Sequence, residues 1–212
     1  MDAALTPFTD LADGPCSGAD ELLLSLAAEF WPVDAAAAHA RLDEEARRLF
    51  GAAALAPADR AHRLGAVLEQ ELGIVAEQGA DPDVMRLDRL LHRRRGHPLL
   101  IAALGAELLR RAGVAASVCS SPTRWFVGIH GGERTVLLDA RLAAHAEPAP
   151  DRVRRHCAHE VAFCALTGLA ERFARAGRRS PARLALALRL ALPVDEAVRT
   201  ALRRDLDAFG PA

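Results

Sequence analysis

The sequence predicts an α+β protein that is mostly helical, and three features of its 212 residues carry that prediction. Apolar residues return every three to four positions through both ends of the chain, the period of an amphipathic helix. Only one stretch, from Val114 to Leu138, changes to short extended runs separated by turn residues. Pro and Gly stand where the periodic segments begin and end. Helices, then a helix with a three-stranded meander, then helices again is the order of an α+β fold.

Residues 1–18, with Thr6-Pro7, Asp13-Gly14-Pro15 and Ser17-Gly18, read as a flexible tail. Residues 19–80 form an N-terminal helical region. Leu22, Leu23, Leu26, Ala27 and Phe30 give its first helix, stopped by Trp31-Pro32. Ala35–Leu49 gives the second, with Asp34 as its cap, and Pro57 opens the third. Gly73 to Asp83 connects to a core of residues 81–145. There, Asp83–Arg95 is a short helix, and Pro98 opens a helix apolar on most sides that runs to Gly113, a pattern expected of a central buried helix. Val114–Ser120, Trp125–Ile129 and Thr135–Leu138 are strands, with Ser121-Pro122 and His130-Gly131-Gly132-Glu133 as turns. Ala146–Pro150 is a connector. The region 146–212 holds helices over Val153–Ala176, Pro181–Leu192 and Val194–Phe209.

Composition narrows the function. With 27 Arg+Lys against 28 Asp+Glu the net charge is −1, which argues against a nucleic-acid binder. No apolar run approaches the ~18–20 residues of a membrane helix, so no membrane association is expected. The first residues lack the basic start and apolar stretch of a signal peptide. Four cysteines do not make a disulfide framework and fit a reducing, cytoplasmic setting. Lys, Tyr and Asn are absent and Ala and Arg abound, the bias of a GC-rich bacterial genome. Schiff-base and P-loop lysine chemistry are thereby excluded. No Walker loop, Gly-x-Gly-x-x-Gly, Gly-x-Ser-x-Gly or Cys-x-x-Cys occurs, and no cofactor is implied.

A regular meander would set Cys119 opposite Arg124, and Arg124 opposite Asp139, so that the three share one face. If the central helix packs across that face, His97 at its start lies near the end of the row. Two readings follow. In one, Cys119 is a buried hydrophobe, Arg124–Asp139 a cross-strand ion pair and His97 a polar residue at a helix start. In the other, Cys119 is a nucleophile, His97 its base, Asp139 the orienting carboxylate and Arg124 the oxyanion or carboxylate binder. Trp125 and Phe126 either plug the cleft or line it. The Arg93-Arg94-Arg95 run, with Arg86 and Arg89, is a solvated face or, through Arg95, an anion site at the cleft mouth. His156 and His159, one helical turn apart, offer two imidazoles to a metal but no third ligand; an ordinary helix start is the simpler reading.

The segment Leu87-Asp88-Arg89-Leu90-Leu91-His92-Arg93-Arg94-Arg95-Gly96-His97-Pro98, followed by Leu109-Arg110-Arg111-Ala112-Gly113-Val114, Ser121-Pro122-Thr123-Arg124-Trp125-Phe126-Val127 and Leu137-Leu138-Asp139, resembles the transglutaminase-like core of the bacterial Sir-B-type proteins. The resemblance implies a central helix packed on a small antiparallel sheet between helical flanks, the C-terminal flank being tetratricopeptide-like. Active relatives of such a core carry a Cys at the central helix start, a His on a following strand and an Asp on the next. By the motif those positions are Pro98, Arg124 and Asp139. Proline is no nucleophile and arginine does not give up its proton near neutral pH. The expectation is a degenerate core, a pseudoenzyme whose cleft and helical flanks bind a protein partner or a small acidic ligand. The alternative is an enzyme with a rebuilt site, acting on an acyl or amide bond of a small metabolite.

Overall fold

The computed structural model describes residues 5–16, 18–131, 135–142 and 152–210. The expected turn at Gly132-Glu133 and the connector Ala146–Pro150 lie outside the described residues. The mostly helical α+β class holds.

Residues 5–16 are more ordered than a loose tail. They contain α1 (Phe8–Asp13), anchored by a fully buried Phe8 and by Ser25 Oγ donating to the Thr6 carbonyl at 2.7 Å. One aromatic among Pro, Gly and Asp leaves no period to read. Then follow α2 (Ala19–Ala28) and α3 (Ala35–Ala46), whose Asp34 cap accepts the Ala37 N–H at 2.9 Å. Pro57 opens α4 (Pro57–Ala66), which continues as a wider turn over Val67–Glu71. The connector contributes β1 (Val75–Ala76), which pairs in parallel with β2 (Arg95–Gly96). Between them lies α5 (Leu87–Arg93), ended by Arg94 in the left-handed region, φ 60°.

Helix α6 (Pro98–Arg111) is the centre of the molecule. Every residue from Pro98 to Leu109 is buried. One side packs on the sheet and the other on α2, α3 and α5. The sheet consists of β3 (Ala116–Ser120), β4 (Trp125–Ile129), β5 (Val136–Asp139) and β6 (Arg154–His156), in the order β5-β4-β3-β6, all antiparallel. The predicted meander thus gains a fourth strand on the β3 edge. Its Arg154-Arg155-His156 sequence carries no apolar alternation, as suits a charged edge strand. Helices α7 (Ala158–Arg175), α8 (Arg179–Arg189) and α9 (Glu196–Phe209) follow; α7 packs on α2 and α8.

Gly105 sets the approach of α6 to the sheet. A Cβ there would lie 2.8 Å from Val127 Cγ2 and 3.3 Å from Leu64 Cδ2. Gly105→Val is therefore expected to lower stability by about 2 kcal/mol through overpacking, and the melting temperature by about 4–8 °C. Calorimetry checks this; an unchanged melting temperature would mean that helix and sheet separate freely.

Candidate functional site

Where the start of α6 meets the β3–β4 turn and the last turns of α7, a cavity of about 310 Å³ opens, lined by Gln78, His97, Ser121–Trp125, Glu171, Arg172 and Arg175. His97 is the N-cap of α6, its Nδ1 accepting the Leu99 N–H at 3.2 Å, and Pro98 fills the first helical position. Burial, and then the charge of Arg172, push the imidazole down to about 4, so the ring is neutral at pH 7. Arg172 is itself buried. It donates from Nε to the Gly79 carbonyl and from Nη1 to the Gly168 carbonyl, both at 3.1 Å. Burial and the neighbouring Arg175 lower its affinity for its proton, but a guanidinium keeps its charge. Three guanidiniums (Arg124, Arg172, Arg175) thus face one lining carboxylate, Glu171, which Arg175 approaches only at 4.0 Å.

The expected row on the sheet forms in altered register. The turn after β3 holds four residues, Ser121–Arg124, closed by Ser121 N–H donating to the Arg124 carbonyl at 2.9 Å. Cys119 consequently faces Phe126, and Phe126 faces Asp139. The slip is of two residues, so Cys119 and Asp139 keep a common face. That face is not the one α6 covers: Val127, the next residue along β4, points at Gly105. Cys119 and His97 therefore do not meet. The Cys119 thiol is buried, touches Ser117 Oγ at 3.6 Å, and burial raises its pKa. Those are the properties of a packed thiol rather than a poised thiolate.

Arg124 and Asp139 do meet, Nη1 donating to Oδ2 at 3.4 Å, although Arg124 lies just outside β4. Asp139 Oδ1 also accepts the Arg141 N–H at 2.8 Å. Asp139 does not line the cavity; it reaches it through Arg124. Trp125 forms a wall of the cavity with its ring 5.3 Å from that of His156, while Phe126 faces the opposite side of the sheet. Arg95 is exposed on β2 and lines no part of the cavity. Its neighbours are neutralised locally: Arg86, Arg89 and Arg93 contact Asp83, Arg86 also contacts Asp88, and Arg94 contacts Glu45.

His156 and His159 do not form a pair. Helix α7 begins at Ala158, so His156 belongs to β6 and the helical spacing fails. His156 Nε2 lies 2.7 Å from Ser120 Oγ, a contact the sequence did not announce. Its Nδ1 is buried and has no partner among the described residues, Glu160 Oε2 being 3.9 Å away. His159 lies instead with Cys16 and Cys157.

Sequence reasoning missed Arg172. The available signal was an arginine interrupting the apolar stripe of Ala165, Leu169 and Phe173 on α7. Residues 32–144, just over half of the chain, match the family described as the transglutaminase-like superfamily. Neither the curated proteins nor the solved structures yield a match. Among the described residues no helix is long and apolar enough to cross a membrane.

Proposed function

The chain belongs to the transglutaminase-like superfamily, and from that premise we propose that it is a binding member, whose cleft holds a small carboxylate ligand without forming a covalent bond to it. The observation that carries this reading is the site at the start of α6. Pro98 stands where active relatives carry the thiol, and the space in front of it is lined by Arg124, Arg172 and Arg175. Guanidiniums bind carboxylates through paired N–H donors. Trp125 supplies an apolar wall, and neutral His97 can share a hydrogen bond without adding charge. The order of the flanking helices supports the Sir-B-type group, with α7 to α9 in the place of its tetratricopeptide-like helices and with Glu171, Arg172 and Arg175 closing the cleft from that side.

Isothermal titration of the full chain with acetate, succinate and citrate tests the reading. Saturable binding is expected for at least one of them, weakened about ten-fold, or ~1.4 kcal/mol, by Arg175→Gln and reduced by added salt. Equal binding by the variant, or no binding of any of the three, would overturn it. So would hydrolysis of an activated ester that disappears with His97→Asn.

A further inference from the structure

We propose that Cys16, Cys157 and His159 bind a single Zn(II) ion, a site at the opposite end of α7 from the carboxylate cleft. One ligand atom from each of the three residues lies within 4.8 Å of the other two. Tetrahedral zinc with two sulfurs at ~2.3 Å and a nitrogen at ~2.0 Å needs its ligands about 3.5–3.8 Å apart, so closure asks for a contraction of about an ångström. Both cysteines are exposed and Cys16 precedes α2 in a non-helical segment, so that movement is available.

The local structure prepares the sulfurs for a cation. Cys157 is the N-cap of α7, a place usually taken by Ser, Thr, Asp or Asn. Its sulfur accepts the N–H of Glu160, while the Glu160 carboxylate accepts the Cys157 N–H at 2.9 Å. Cys16 reaches the same helix end from 142 positions away and accepts the Ala158 N–H at 3.2 Å. Backbone N–H donors at the start of an 18-residue helix point at both sulfurs, although burial, and then the neighbouring Cys16, raise the Cys157 pKa on balance. Two thiolates side by side repel, and a divalent cation between them removes that repulsion.

His159 supplies the second line of argument. Its side chain is buried, and Nε2 donates to the Leu11 carbonyl at 3.4 Å. A bond from one ring nitrogen to a backbone carbonyl is how ligating histidines are oriented, and it leaves Nδ1 with a free lone pair. A simple Cys16–Cys157 disulfide would have no use for a buried imidazole directed at the same point. Two sulfurs and one imidazole select zinc over magnesium or calcium, which take oxygen ligands. Glu160 is engaged with Arg154 and with the Cys157 backbone, so the fourth position falls to water. The ion would clasp the segment between α1 and α2 to the start of α7.

Cobalt(II) titration of the reduced, chelator-treated full chain is the test. One equivalent should bind, with the thiolate-to-metal charge-transfer band and the visible bands of tetrahedral cobalt, and Zn(II) should displace it. Cys16→Ser, which keeps an acceptor for the Ala158 N–H, should weaken binding by about ten-fold or more. Cys157→Ser should do the same while preserving the helix cap and the circular dichroism. Cys164→Ser should change nothing. Absence of the charge-transfer band, or an undiminished band in Cys16→Ser, would overturn the proposal. So would a protein that loses two thiols in air yet takes up no metal once reduced.

Discussion

Glu45→Ala is expected to destabilise the protein by about 3 kcal/mol and to lower its melting temperature by about 6–12 °C. The Glu45 side chain is fully buried, yet it is ionised and triply paired. Arg94 Nη2 and Arg41 Nε each lie 2.8 Å from Oε1, and Arg48 Nε lies 2.6 Å from Oε2. Burial alone would raise its pKa; the hydrogen bonds from Arg94 and Arg48 and the charges of Arg94 and Arg41 outweigh it and hold the carboxyl below its ordinary range. Breaking a buried pair costs about 3–5 kcal/mol because the surviving partner is stranded. The low end applies because Arg41 and Arg48 are about 40% exposed and turn readily to water. Arg94 is the one stranded: it is 22% exposed, and its Nη1 already lacks a partner among the described residues. A carboxyl with a depressed folded pKa stabilises above its unfolded pKa, and that contribution is lost as pH falls through the folded value. The gap between Glu45→Ala and the parent in urea unfolding should therefore narrow below about pH 4. Arg94→Gly should cost less than Glu45→Ala, since glycine relieves the left-handed φ of 60° that arginine now tolerates.

His97→Asn should reverse part of the protein's acid sensitivity. His97 is neutral in the folded state, with a pKa pushed down from 6.5 to about 4 by burial and by Arg172. Arg124, Glu171 and Arg175 line the same cavity. Below pH 6.5 the unfolded chain gains a proton at this position that the folded chain refuses until about pH 4. Stability is complete above 6.5 and declines as pH falls from 6.5 to 4. Protonation also removes the Nδ1 lone pair that caps Leu99. Asparagine keeps an N-cap acceptor and does not titrate. At pH 7 the variant should match the parent within about 0.5 kcal/mol. At pH 4.5 it should be more stable by about 2 kcal/mol, a figure already reduced for the exposed part of the ring. Urea midpoints at the two pH values decide it, and equal acid sensitivity would remove His97 from the account. Some acid sensitivity remains in the variant, because burial also lowers the pKa of His130 and His156.

What the sequence disclosed follows from how local each signal is. The central helix was legible because Pro98 and Gly113 bracket a continuous apolar run, and Asp34 because a cap is read one turn away. The sheet was legible up to its register. Whether the turn at Ser121-Pro122 spans two residues or four depends on the Ser121–Arg124 hydrogen bond, and neither residue announces it. A two-residue slip leaves every side chain on its own face, so the association of Cys119 with Asp139 survived the error. Which of the two faces α6 would cover is settled by Gly105 meeting Val127, a contact 22 positions apart. That choice separates Cys119 from His97. Arg172 and Cys16 were hidden for the same reason: each acts through groups 93 and 142 positions distant, the Gly79 carbonyl and the Ala158 N–H.

The cleft straddles the limit of the family match at residue 144. His97 and Arg124 lie inside the matched span, while Glu171, Arg172 and Arg175 lie beyond it, on α7. Through Arg172, α7 also holds the Gly79 carbonyl just ahead of the short turn that leads into α5. A substitution in α7 therefore alters the lining of a cavity whose remaining walls lie within the matched segment. The cavity is thus assembled from two parts of the chain, and two of its three guanidiniums, Arg172 and Arg175, come from outside the segment that identifies the family.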